Sequence, residues 1–201
     1  MKDYLKKTIE TYNKIAKIYS DYTFGLVLQY HLNEFISLLP KKARILDAGC
    51  GSGRDVTYLT DYGFDVIGID ISEGLLEEAK KRAKGEFKSM DITDMNFKDE
   101  EFDGVWSCAT LYHLEKKDVP KVLKDFNKIL KKDGVLFINV KEGEGEEVVK
   151  KKKYNDLPRY IVYYSLAEIL NLVKESGFEV INSFTDEGSD ASWINVYARK
   201  V

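Results

Sequence analysis

Three glycines spaced two apart, Gly49, Gly51 and Gly53, follow an acid, Asp47, at the close of an apolar run in "RILDAGCGSGRDV". Small residues let main chain approach a ligand closely, and the start of the next helix offers N–H groups and partial positive charge. The stretch therefore reads as a ligand-binding turn between a strand and a helix. Further acids, Asp70 in "VIGIDIS" and Asp91 in "SMDITDMNF", close two strand-like runs downstream. His113 in "TLYHL" is the best general-base candidate, because an imidazole titrates near neutrality. The dinucleotide fingerprint G-x-G-x-x-G requires a glycine where Arg54 stands, which argues against a nicotinamide cofactor and the oxidoreductase it would imply. Cys50 and Cys108 belong to no CxxC pair and read as small buried apolar residues rather than reactive thiols. With His31 and His113 the only histidines, no metal-ligand spacing is present and no metal is expected.

These residues need a scaffold that brings strand ends together. Short runs, "RILDA", "FDVIGIDI", "EFKSMD", "FDGVWSCA" and "GVLFINV", alternate with helix-length stretches near 54–62, 72–84 and 116–131. Such alternation predicts right-handed βαβ units around a mostly parallel sheet, an α/β doubly wound, Rossmann-like fold whose ligand sits outside the strands' carboxyl ends. Ahead of it, Tyr12, Ile15, Ala16 and Tyr19 recur at helical spacing, and a second stripe runs from Leu26 through Tyr30 to Phe35 and Leu38, stopping at Pro40. The polar segment 142–164 is too long for an ordinary connection and is expected to be a mobile lid. "SLAEILNLVKESGF" predicts a helix from a Ser165 N-cap to a Gly177 C-cap, and "FEVINSF" and "SWINVYARK" predict two closing strands. The expected organisation is one domain over 1–201, with a helical cap at 1–40 and a ligand-binding core at 41–201.

Asp47-Ala48-Gly49-Cys50-Gly51-Ser52-Gly53 resembles the D/E-x-G-x-G-x-G loop of class I S-adenosylmethionine (SAM) dependent methyltransferases of the type 11/25 small-molecule group. The resemblance extends through Asp70, Asp91, "FDGVWSCATLYHL" and the amino-terminal "TYNKIAKIY". It implies a seven-stranded sheet of order 3-2-1-4-5-7-6 with strand 7 antiparallel, SAM as cofactor and S-adenosylhomocysteine (SAH) as product. It further implies that Asp70 accepts the ribose diol while Ile71 covers the adenine face. Asp91 would accept the adenine amino group, with Ile92 main chain at a ring nitrogen. Asp47 and the Cys108 carbonyl would meet the methionyl ammonium, and loop N–H groups with Arg54 its carboxylate. Tyr19 would lie beside the sulfonium, where a ring face attracts a cation.

Composition narrows the acceptor. Lys plus Arg number 31 against 34 Asp plus Glu, evenly spread, so no basic face invites nucleic acid. Ser107-Cys108-Ala109-Thr110 replaces the D/N-P-P-Y/F loop of enzymes acting on base amino groups, and no Pro-Cys nucleophile occurs. A small molecule is the expected acceptor, its pocket roofed by the amino-terminal helices and 142–164 with Tyr12, Tyr19, Tyr22, Tyr160, Tyr163 and Tyr164. Without an apolar leader or an 18-residue apolar run, no membrane is expected and the location expected is cytoplasmic. Monomer and homodimer both stand open. The alternative function is a SAM-binding protein without transfer activity, a sensor or partner subunit.

Overall fold

The computed structural model describes residues 3–188 and 191–201. Its main sheet has seven strands in the order β3-β2-β1-β4-β5-β9-β8. The parallel part comprises β1 (Arg44–Ala48), β2 (Asp65–Asp70), β3 (Glu86–Ser89), β4 (Phe102–Cys108) and β5 (Leu130–Lys141). At the far edge β9 (Ser192–Lys200) runs antiparallel to both β5 and β8 (Phe178–Glu187). This is the expected 3-2-1-4-5-7-6 topology, with β9 in the place of strand 7. The four central strands are nearly continuous apolar runs because helices cover both faces.

The helices are α1 (Asp3–Thr23), α2 (Gln29–Ser37), α3 (Arg54–Asp61), α4 (Glu73–Arg82), α5 (Val119–Ile129) and α6 (Leu166–Glu175). Ser72 caps α4 and Ser165 caps α6, each hydroxyl accepting a backbone N–H inside the first turn. Gly177, just past the end of α6, has φ +86°, the left-handed conformation that ends a helix most easily in glycine.

The two amino-terminal helices have different duties. Leu32 and Phe35 of α2 are fully buried in a core cluster with Trp106, Phe137 and Tyr197, so α2 belongs to the helical layer rather than to a cap. The stripe expected from Leu26 to Leu38 begins later, since Leu26 and Tyr30 are 57% and 65% exposed. α1 lies over the strand ends, where His31 of α2 also reaches. Thr8, Thr11, Ile15, Ala16 and Ser20 form its buried face. Its Asn13 carboxamide oxygen accepts the Ser72 hydroxyl at 2.7 Å and the Gly74 N–H at 3.0 Å, hooking it to the start of α4.

The segment 142–164 is more ordered than a free lid. It folds into an antiparallel hairpin, β6 (Glu146–Val149) with β7 (Arg159–Val162), and all four residues of β7 are buried. The Thr11 hydroxyl donates to the Pro158 carbonyl at 2.7 Å and the Tyr160 N–H donates to the Thr8 hydroxyl at 3.0 Å. β7 is thereby a fixed wall under α1. A strand with no exposed residue cannot swing away without exposing Ile161 and Val162 to water. Only the stretch before it, where Glu144 to Glu147 and Val148 are exposed, is free of the core.

Candidate active site

Outside the carboxyl ends of β1, β2, β4 and β5 lies a cavity of about 500 Å³, closed over by α1 and the hairpin. Its position follows from the fold, because strand order reverses between β1 and β4 and the loops diverge there. Of the thirteen residues singled out from the sequence, all but Gly53 line it: Tyr19, Asp47, Gly49, Cys50, Gly51, Arg54, Asp70, Ile71, Asp91, Ile92, Cys108 and His113.

The glycine turn is built for close approach. Gly49 has φ +88°, and a Cβ there would stand 2.0 Å from the Thr110 hydroxyl oxygen. Gly53 has another use than ligand contact. In a left-handed conformation at φ +79°, it starts α3 and lets the turn pack on Ala83 and Phe87, where a Cβ would come within 2.7 Å and 2.8 Å. The loop N–H groups expected to receive a carboxylate are already engaged: Gly49 and Cys50 donate to the Ile69 carbonyl at 2.8 and 2.9 Å, and Gly53 to that of Cys50 at 3.0 Å. Gly51 N–H donates to Asp70 at 2.8 Å, whose other carboxylate oxygen accepts the Ser72 N–H at 2.8 Å. Asp70 thus braces the turn with one lone pair of each oxygen and still faces the cavity with the rest. Asp91 is oriented similarly by the Thr93 N–H and hydroxyl, both at 2.8 Å.

Asp47 is 2% exposed and has no ion pair among the described residues, and its Oδ2 is buried without a hydrogen-bond partner. Burial first, then the nearby Asp55 carboxylate, pushes its pKa well above the ordinary value. Such a group asks for a cation. Arg54, by contrast, is neutralised by its neighbour: its Nε and Nη2 donate to the two oxygens of Asp55 at 2.6 and 2.8 Å, and Trp106 Nε1 donates to the same carboxylate at 3.0 Å. A guanidinium so held is a wall of the cavity rather than a spare cation for a ligand carboxylate. Burial raises the Cys108 thiol to about 12 and Cys50 upward as well, so neither is a thiolate at neutral pH.

His113 sits in a short chain of hydrogen bonds. Its Nδ1 lies 2.7 Å from the Tyr160 carbonyl, which can only accept, so Nδ1 carries the proton and Nε2 accepts from the Tyr12 hydroxyl at 3.0 Å. Arg159 Nη1 donates to the Tyr12 oxygen at 3.3 Å. Burial above all, with Arg159 and Lys141 adding like charge, lowers the His113 pKa to about 3. The imidazole is neutral at physiological pH and a poor proton acceptor.

The aromatic roof differs from the expected set. Tyr12 and Tyr19 line the cavity and pack edge to face at 5.2 Å. Tyr160 and Tyr164 point into the core instead, 6% and 0% exposed, and Tyr163 hydrogen-bonds Glu147 at 2.5 Å on the outside. Their place is taken by Tyr154, Tyr112 and Trp193, with the cations Lys141 and Arg159 beside them. Sequence periodicity marks none of these five. Arg159 left one clue, a charge inside the β-forming run "RYIVYY".

Fold and cavity define a class I SAM-dependent methyltransferase fold. Residues 46–138 match the model of the methyltransferase domain family. YqeM of Bacillus subtilis (strain 168), a candidate methyltransferase, is 36% identical over 108 residues, 51% of this chain and 44% of YqeM, so the chain spans under half the length of that relative. A SAM-dependent methyltransferase from Methanosarcina mazei superposes with a TM-score of 0.76 at 20% identity, over 84% of this chain and 97% of that one. The 1,6-didemethyltoxoflavin-N1-methyltransferase of Burkholderia thailandensis, solved with 1,6-didemethyltoxoflavin and SAH, superposes at 0.70 with 18% identity, over 96% and 88%. SAM is the cofactor of this class, and the residues here fit it: an unpaired buried carboxylate at Asp47, a glycine cradle and two strand-end acids. No helix is long and apolar enough to cross a membrane, and no group of three metal-ligating side chains occurs, both among the described residues.

Proposed function

We propose that this chain transfers a methyl group from SAM to a small molecule by in-line displacement, in the cavity beneath α1. The observation that carries the reading is Asp47, a buried carboxylate with an unpartnered oxygen at the head of the glycine turn, matched to an ammonium. Asp47 would hold the methionyl ammonium, Asp70 the ribose hydroxyls, and Asp91 with Ile92 the adenine edge, while Ile71 supplies apolar surface and Tyr19 covers the sulfonium end. When bound, SAM supplies a methyl already activated on sulfur. The protein's own part is to fix the acceptor behind that methyl and exclude water, which in favourable cases is worth roughly 7–11 kcal/mol of barrier.

Proton handling falls to Tyr12 and His113. Both residues line the cavity, and His113 Nε2 is occupied by the Tyr12 hydroxyl, so a proton leaving the acceptor would meet that hydroxyl ahead of the free nitrogen lone pair. His113 is therefore a positioning residue for Tyr12, and its low basicity suits that role better than general-base catalysis. A cavity of about 500 Å³ beneath α1 and β7 suits a small acceptor. The test is a reaction of the purified protein with methyl-labelled SAM and a small-molecule metabolite extract. Label should appear in a small molecule in step with SAH. Tight SAM binding with no label transferred to any pool would leave a binding protein in place of an enzyme.

A further inference from the structure

The cavity has two arginines, and they are treated differently. Arg54 is matched by Asp55 through two hydrogen bonds. Arg159, 6% exposed and lining the same cavity, has no carboxylate within ion-pairing distance among the described residues. Its one hydrogen bond is from Nη1 to the Tyr12 oxygen at 3.3 Å, and its Nε is buried with no partner. Its charge rests over two rings instead, with Cζ 4.6 Å from the Tyr154 centroid and 5.8 Å from that of Tyr12. Ring faces recover part of the cost of taking a guanidinium out of water, but they cannot satisfy an unpaired N–H.

Lys151 and Lys153 line the same cavity. The cavity's acids lie apart from Arg159. Asp47, Asp55 and Asp70 gather at the glycine turn, Asp91 is held by Thr93, and Asp186 and Glu187 are tied to His31 and Ser192. A planar fork with unused donors, enclosed among hydroxyl-bearing rings, matches a carboxylate or a phosphate, each able to accept two parallel N–H bonds.

We propose that Arg159, with Tyr12 and Tyr154, forms an anion subsite that binds a carboxylate or phosphate group of the methyl acceptor. The inference rests on the methyl-transfer reading, since it assigns the acceptor's end of the same cavity. The subsite sets which molecules are methylated by holding the acceptor's anionic end at β7, leaving the nucleophile to face the cofactor end.

The test titrates inorganic phosphate and, separately, acetate into the SAH-saturated protein at constant ionic strength, following the melting temperature. One or both anions should stabilise the wild type, and the one with the lower half-saturating concentration identifies the group. R159Q should raise that concentration about tenfold or more while SAH affinity stays within about twofold. Failure of SAH to bind would overturn the methyl-transfer reading and this inference with it. SAH binding with no stabilisation by either anion, or equal half-saturation in R159Q, would overturn the subsite alone. So would a tenfold loss of SAH affinity in R159Q, which would assign Arg159 to the cofactor's own carboxylate. If R159Q does not fold, R159K keeps the charge without the fork; it should bind the anion several-fold more weakly, and an unchanged half-saturation would overturn the proposal.

Discussion

Asp47 holds its carboxylate in a place where the folded protein gains nothing from the charge. Burial raises its pKa, so without a ligand the ionised form costs stability, whereas a bound ammonium rewards it. Asp47→Asn should therefore move two observables in opposite directions: a ligand-free melting temperature equal to or above that of the wild type, and SAH affinity lower by about 1.5–3 kcal/mol. Paired thermal and calorimetric titrations check this, and a fall in both would make Asp47 a structural group instead. His113 gives a pH test. Its folded pKa of about 3 lies below the ordinary value of 6.5, so between those limits the unfolded chain binds a proton that the folded one does not. Its contribution to stability is full above about 6.5 and is lost as pH falls toward about 3. Denaturant unfolding at pH 7 and pH 5 should show a smaller acid loss in His113→Gln than in wild type. In the same variant the methyl-transfer rate should fall less than tenfold, because the imidazole positions Tyr12 rather than removing a proton; a loss beyond about a hundredfold would make it the base.

At the scale of elements, the cavity depends on how α1 and the hairpin lock together. Thr8 and Thr11 fasten α1 to β7, Asn13 fastens it to α4, and Arg159 on β7 reaches the Tyr12 hydroxyl on α1. If any of 142–164 moves, it is the part ahead of β7. Limited proteolysis should cut first at the exposed Lys150 and Lys152 and leave 159–164 intact, with or without SAH; early cuts inside β7 would show the wall to be mobile. The elements of the core were legible from sequence because each declares itself locally, by an apolar run of strand length or by a cap such as Ser165. The hairpin was not, because its polar first half hides a buried second half whose burial is decided by α1, far away along the chain. The same reasoning explains Gly53. Its spacing belongs to the ligand turn, while its use, packing on Ala83 and Phe87, is set by α4 and β3.

For the whole molecule, the fold brings strand-end acids together with tyrosines and cations from α1, the hairpin and β5 around one cavity. Half of that cavity was readable in advance: Asp47, Asp70 and Asp91 end strands, and strand ends converge in any doubly wound sheet. The other half, Tyr154, Arg159, Lys141 and Trp193, comes from segments whose meeting depends on tertiary packing, and no spacing along the chain encodes it. The acidic half carries the central claim, that this is a SAM site. Calorimetric titration of SAH into the wild type and Asp70→Ala tests it most directly. The account predicts micromolar or tighter binding to the wild type and a loss of about 1.5–3 kcal/mol in the variant, the range for a charged hydrogen-bonding group. Equal SAH affinity in the two proteins, or no binding to the wild type, would contradict it.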